Sequence, residues 1–203
     1  MALTIYGTPR SRTMRVLWMA AELGLDYTHV PLAFDDPALK AEDFRRISPA
    51  GVIPAIVDDG FALSESLAIN LYLAKKFGSG GPMPFYPNTL RDEADAWRWT
   101  LWAQGHLEPW VQRDAHLEGL RATAAGDVET MVQAALATLD RALAGRPWLI
   151  GEHFTVGDLN VAAVLSPSRV PYLDLRPHPG VGEWLGRCYG RPAVLATRQR
   201  FGA

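Results

Sequence analysis

The stretch SPAGVIPAIVDDGFALSESLAIN, Ser48–Asn70, decides how the first part of the chain folds. Ala55-Ile56-Val57 and Phe61-Ala62-Leu63 flank Asp58-Asp59-Gly60, a turn in which glycine supplies a positive φ, and together they predict an antiparallel hairpin. Pro54 stands directly before the first of these strands, where a residue without a backbone N–H is tolerated. Ser64 reads as the cap of a helix that runs through Leu67, Leu71 and Tyr72 to Phe77 and closes at Gly78.

Toward the start of the chain, Leu3–Tyr6 alternates as a strand and Gly7, Thr8 and Pro9 break it. Val16, Ala20 and Leu23 then recur at helical spacing, with Gly24 placed for a left-handed C-terminal cap, so the first helix is expected to end near Leu23. Asp26–Val30 reads as a second strand, and Lys40–Ile47 as a short helix. The order is βαβαββα, that of an α/β thioredoxin-like N-terminal domain, opening with a parallel right-handed crossover.

Gly80, Gly81, Pro82, Pro84 and Pro87 punctuate the chain, and no strand signal of comparable quality follows them. Helical patterns cover 89–118, 128–144, 156–165 and 179–198, with Val132, Leu136, Leu139 and Leu143 as one apolar stripe. The expected organisation is therefore a first domain over 1–79, a linker over 80–88 and an all-α C-terminal helical domain over 89–203.

A net charge of −2 and a pI near 6.2 leave no electrostatic footprint for nucleic acid or an anionic membrane, so function is expected from a local site. No stretch reaches the roughly 18 uninterrupted apolar residues of a membrane-spanning helix, and Met1 leads into the first strand without a secretory signal pattern. The single cysteine, Cys188, excludes an intrachain disulfide and a cysteine-based metal cluster. It also points to a reducing, cytoplasmic compartment. Its neighbours Trp184, Leu185 and Tyr189 make it a buried structural thiol. His29, His106, His116, His153 and His178 lack metal-ligand spacing, so no metal is expected, and most of them read as surface residues.

Three local features can carry chemistry. A cis Ile53-Pro54 bond would turn the Ile53 backbone groups outward to pair with an extended peptide, whereas a trans proline would simply start the strand. Ser64-Glu65-Ser66 opens a helix whose N–H groups and dipole favour a carboxylate, and Glu65 can hold an amino group; the plainer alternative is a charged helix cap. Ser11, Arg12 and Thr13 lie where the first strand meets the first helix, where a hydroxyl and helix N–H groups can stabilise a thiolate; Ser11 alone would also serve as a cap. Farther on, His106 shares a helical face with Trp99, Trp102 and Trp110, which could border a cleft or pack in a core or dimer interface.

With these segments in order, the chain resembles the soluble glutathione transferase superfamily over essentially its whole length. The segments are Tyr6–Arg12 leading to Arg15-Val16-Leu17-Trp18, the loop Ser48–Pro54, Leu63–Ile69, and Phe154–Leu159, where Thr155 and Asp158 have the spacing of a structural capping box. The first is similar to bacterial members and to the serine-type theta and phi classes. The resemblance implies that Glu65 and Ser66 bind the γ-glutamyl amino and carboxylate groups of glutathione. It implies that Ile53, between Val52 and the cis Pro54, pairs with the cysteinyl part, that Lys40 meets the glycyl carboxylate, and that Ser11 donates to the sulfur. Val52 stands where many members carry Gln or Lys, and the Ser11-to-Arg15 spacing is one residue shorter than in phi-class members, so the claim to activate the thiol is open among Ser11, Arg12 and Thr13.

The implied activity is transfer: the thiol of glutathione, the co-substrate, with an ordinary pKa near ~8.5, is stabilised as thiolate and attacks a small, hydrophobic electrophile. Trp99, Trp102, Ala103, His106 and Trp110 of the helical domain are the implied electrophile contacts, and a homodimer is the implied assembly. Peroxide or disulfide reduction, dehalogenation, isomerisation or ether cleavage on the same scaffold remain open alternatives, as does a non-catalytic interaction protein, because fold does not fix the second substrate.

Overall fold

The computed structural model describes residues 2–111 and 118–202. His116 and the end of the helical pattern over 89–118 lie outside the described residues. The chain forms two compact units, Met1–Tyr86 with Arg191–Ala203, and Pro87–Gly190.

In the first unit the order is β1 (Leu3–Tyr6), α1 (Thr13–Glu22), β2 (Thr28–Val30), α2 (Glu42–Ile47), β3 (Ala55–Asp58), β4 (Phe61–Ser64) and α3 (Ser66–Phe77). The sheet order is β2-β1-β3-β4, with β1 and β2 parallel and both β1/β3 and β3/β4 antiparallel. This is a thioredoxin-like domain. Ile5 sits opposite His29 on one side and Ile56 on the other, and Ile56 opposite Leu63. Strand alternation sends Tyr6 to the layer of Leu39, Phe44, Ile53 and Ala55, where its ring meets Phe44 edge-on at 5.9 Å. Leu3 and Ile5 point to the opposite face and are buried, each stabilising the fold by about 1.5–3 kcal/mol.

Several local expectations are corrected. Ser64 does not cap α3; it is the last residue of β4, paired with Ala55, and Glu65 takes the N-cap position. The second strand is confined to Thr28–Val30. Instead of one helix over Lys40–Ile47, Pro37–Lys40 forms a 3-10 turn because Asp36 accepts from the Ala38 N–H at 2.9 Å, and α2 follows it. Gly24 has φ 61°, as a left-handed cap requires.

The pattern over 179–198 is two helices, α8 (Pro179–Tyr189) and α9 (Pro192–Phe201), because Pro192 has no N–H to continue the first. Residues 191–203, read from sequence as part of the helical domain, belong to the first unit. The physical reason is α1: Glu22 accepts from Arg191 Nε and Nη2 at 2.8 and 2.7 Å and from Trp18 Nε1 at 2.9 Å.

The second unit is all helix: α4 (Leu90–Trp102), a π turn at Ala103–Leu107, α5 (Glu108–Val111), α6 (Glu118–Leu143), α7 (Val156–Leu165) and α8. All ten residues of α7 are buried. Its start is the expected capping box, extended into a network: Asp158 accepts from the Leu149 N–H (2.9 Å), Trp184 Nε1 (2.9 Å), the Thr155 N–H (3.1 Å) and the Thr155 hydroxyl (3.2 Å). Burial raises the Asp158 pKa, and these four donors oppose that rise. Asn160 ties α7 to α4 through Thr100 Oγ1 at 3.0 Å. Cys188 is buried in α8, as its apolar neighbours suggest. His178 is not one of the surface histidines: it is buried beside Gln133, with Nε2 and Oε1 2.8 Å apart.

On the loop before α8, Asp174 accepts from Arg176 Nε and Nη2, both at 2.8 Å, and from the Arg176 backbone N–H at 3.1 Å, and these bonds hold its carboxyl at about 2. A depressed folded value means that the contribution is present above the ordinary value of 3.8 and is lost as pH falls toward 2. Carboxyl-carbon NMR is expected to place the Asp174 midpoint near 2, and Arg176→Ala to raise it without restoring the ordinary value, because the backbone N–H of residue 176 still donates to Asp174 at 3.1 Å.

Candidate glutathione site

The loop before β3 is a closed turn. Ser48 Oγ donates to the Val52 carbonyl at 2.8 Å and accepts from the Val52 N–H at 3.3 Å. Gly51 has φ 65°, and a Cβ there would stand 2.8 Å from the Leu39 carbonyl, so a side chain is excluded on two counts. The same close approach places Lys40, exposed at the end of its 3-10 turn, beside the Gly51-Val52 loop. Val52 is exposed, Ile53 is buried, and the Ile53-Pro54 bond is cis.

Gly7 joins this loop to the start of α1. It has φ 125°; a Cβ there would overlap Thr13 Oγ1 and stand 2.9 Å from Ile53 Cβ. The end of β1, the first residue of α1 and the residue before the cis proline are therefore in contact through a position that only glycine fills.

Ser11, Arg12 and Thr13 fall into different environments. Thr13 is wholly buried, Arg12 is exposed and Ser11 is half-buried. Ser11 Oγ donates to the Thr8 carbonyl at 2.7 Å, accepts from the Thr13 N–H at 3.0 Å and lies 2.7 Å from Thr13 Oγ1. A carbonyl only accepts, so the Ser11 proton lies on Thr8 and the Thr13 hydroxyl donates to Ser11.

At the β4–α3 corner, Glu65 adopts φ 73°, ψ 107° with its side chain exposed, while Ser66 is buried as the first residue of α3. Such a backbone costs a non-glycine residue on the order of 1–3 kcal/mol. Arg15, buried on α1, reaches across and donates through Nη1 to Ser66 Oγ at 3.3 Å. The corner is thus fastened to the same helix whose first turn holds Ser11. Sequence reading missed Arg15, whose signal was a cation within the apolar run Met14–Leu17, and Gly7, whose signal was a glycine ending a strand.

The implied electrophile contacts lie in the second unit. Trp99 and Ala103 are buried, Trp102 and Trp110 are half-buried, and His106 is exposed. Trp99 meets Trp102 edge-on at 5.2 Å and carries the Arg98 guanidinium 4.8 Å from its ring centre. The shared face expected of Trp99 and His106 is broken: the π turn at Ala103–Leu107 inserts an extra residue per turn and rotates everything after it.

Among the described residues no group of His, Cys, Asp or Glu could hold a metal ion, and no helix is long and apolar enough to cross a membrane. Residues 1–75 match the family described as Glutathione S-transferase, N-terminal domain, and residues 108–187 the Glutathione S-transferase, C-terminal domain. The chain is 30% identical to the disulfide-bond oxidoreductase YfcG of Escherichia coli (strain K12), over 94% of this chain and 91% of that protein. It is 32% identical to glutathione S-transferase 3 of Zea mays, over 96% and 92%. Ure2p in complex with glutathione shares the fold, with a TM-score of 0.83 at 22% identity over 96% of this chain and 97% of that one. Two family domains in order, on a thioredoxin-like unit and a helical one, show that the chain belongs to the glutathione S-transferase family.

Proposed function

We propose that this chain is a glutathione transferase that stabilises the thiolate of bound glutathione for attack on a small hydrophobic electrophile. The observation that carries the reading is Glu65. An exposed side chain contributes nothing to the core, yet its backbone is held in a costly conformation beside a buried serine at a helix start. That geometry suits an amino group on Glu65 and a carboxylate on Ser66 and the first N–H groups of α3. Ile53 would pair with the cysteinyl backbone next to Pro54 and Val52, and Lys40 would meet the glycyl carboxylate.

Thiolate stabilisation falls to Ser11. When its proton turns from the Thr8 carbonyl to the sulfur, Ser11 still accepts from the Thr13 N–H and hydroxyl, which polarise it as a donor. Thr13 acts behind Ser11 because it is wholly buried. Each unit of thiol pKa depression stabilises the thiolate by about 1.4 kcal/mol. The electrophile would meet Trp99, Trp102, Ala103, His106 and Trp110. A cytoplasmic homodimer completes the proposal, with exposed Leu90, Trp97 and Leu101 along α4 as the apolar contact.

A second reading, glutathione-dependent disulfide reduction, is favoured by the 2.7 Å bond that keeps the Ser11 proton on Thr8 and by the activity named for the Escherichia coli relative. Cys188 is buried, so such exchange would run on glutathione thiols alone. The test is to measure the thiolate absorbance of bound glutathione against pH in wild type and Ser11→Ala, beside turnover of an aryl halide and of a dialkyl disulfide. The transferase reading expects a depressed thiol pKa that Ser11→Ala loses, with aryl-halide turnover reduced roughly 10- to 1000-fold, as for loss of a charge-stabilising donor. Disulfide turnover unchanged by Ser11→Ala, without aryl-halide turnover, would establish the second reading instead.

A further inference from the structure

We infer that His29 is a positioning residue for the thiol end of the site and that α9 holds it in place, so that the last helix of the chain is part of the glutathione-binding frame. The inference rests on the glutathione reading for its functional consequence, and on geometry internal to the first unit for its substance.

His29 lies in β2, opposite Ile5 of β1, and its ring reaches the end of that neighbouring strand. Nε2 is 2.9 Å from the Gly7 carbonyl. Because a carbonyl only accepts, Nε2 carries the proton and donates. Gly7 is the residue whose missing side chain lets β1, Thr13 and Ile53 touch. Its N–H is already held by the Val30 carbonyl at 2.8 Å, and the next N–H, of Thr8, by Leu32 at 2.7 Å. The Thr8 carbonyl in turn takes the Ser11 hydroxyl and, at 3.1 Å, the Ser11 N–H. With its carbonyl on His29, the Gly7 peptide is fixed on both sides, and the placement of Ser11 follows from it. A peptide free to tilt here would move the hydroxyl and the Ile53 backbone together.

The outer side of His29 is covered by α9. Phe201 meets the imidazole edge-on, 5.3 Å between centres and 78° between planes. The Arg200 guanidinium lies 5.2 Å from the Phe201 ring centre and 5.8 Å from that of Tyr27, and Arg191 anchors the other end of the helix on Glu22. A half-buried imidazole with an aromatic wall has few alternative rotamers, so its N–H stays aimed at Gly7. His29 touches no reacting atom; it acts through the Gly7 peptide.

The test compares wild type with His29→Phe, His29→Gln and Phe201→Ala in the full chain. Amide hydrogen exchange is followed without glutathione, and KM for glutathione and kcat are measured alongside. In His29→Phe the Thr8 and Ser11 amides are expected to exchange about tenfold faster, the scale of one lost hydrogen bond. The Ile56 and Leu63 amides, in the β3–β4 ladder, are expected to be unchanged. KM for glutathione is expected to rise by a similar factor. His29→Gln, which places an amide N–H near the Nε2 position, restores both, and Phe201→Ala reproduces part of the loss with His29 intact. Should His29→Phe fail to fold, the other two variants decide between the same outcomes. Unchanged Thr8 and Ser11 exchange overturns the inference. So does faster exchange spread evenly over the sheet, or a glutamine variant no better than phenylalanine, since His29 then only fills space. Failure of wild type to bind glutathione sinks the glutathione reading instead, while the exchange data, taken without ligand, still judge the corner.

Discussion

Glu65→Ala is expected to weaken glutathione binding roughly 10- to 100-fold, because a charge-assisted hydrogen bond to the γ-glutamyl ammonium is worth about 1.5–3 kcal/mol. Glu65→Gly should lose the same binding and yet raise stability by about 1 kcal/mol relative to Glu65→Ala, since glycine adopts φ 73° without the penalty that alanine keeps. Glu65→Gln, which retains an acceptor and removes the charge, is expected between wild type and alanine. Calorimetric titration with glutathione and urea denaturation of the four proteins check the series. Binding by Glu65→Ala equal to wild type would detach the strained backbone from ligand recognition and remove the main support for the transferase reading.

Asp158→Ala is expected to cost about 3–5 kcal/mol, among the largest effects any single substitution in this chain can have. The substitution strands the Trp184 indole N–H, the Leu149 N–H and both Thr155 donors in the buried interior, and it removes the Asp158 half of the capping box of α7, all of whose residues are buried. For a protein of this length that loss corresponds to a fall in Tm of roughly 6–20 °C. Asp158→Asn, which keeps the shape, should cost less, because its carbonyl oxygen can still accept while its amide faces donors. The denaturation midpoint and the near-ultraviolet dichroism of Trp184 follow both variants. A loss under 1 kcal/mol for alanine would mean that water replaces the carboxylate. Glutathione affinity per folded molecule should be unaffected, as Asp158 and its partners lie wholly in the second unit.

The hairpin, the first strand and the helix ends at Gly24 and Gly78 were legible because each depends on a few adjacent residues: a turn glycine, a proline, an alternation of period two. The capping box at Thr155 and Asp158 was legible for the same reason, its spacing being a local geometric requirement. Ser64 does not cap α3 because β4 extends one residue farther than its apolar triplet, and pairing opposite Ala55 outweighs the capping preference of serine. The π turn at Ala103–Leu107 left no periodic signature, so the face shared by Trp99 and His106 was drawn on a register that the chain does not keep.

Local chemistry thus determined the βαβαββα order, the helical character of the second unit, and the identity of the segments that resemble a glutathione site. Tertiary packing decided the surroundings of each member of those segments. In sequence Ser11 shares its claim with Arg12 and Thr13, and burial separates the three: a half-buried hydroxyl, an exposed guanidinium and a buried hydroxyl 2.7 Å from the first. Arg15 reaches Ser66 across 51 positions, His29 reaches Gly7 across 22, and Arg191 reaches Glu22 across 169. Periodicity and capping reach only as far as a turn of helix or a pair of strands, whereas these contacts exist only after the chain has closed on itself, and for that reason α9 belongs with the first unit although its sequence reads as a continuation of the helical one.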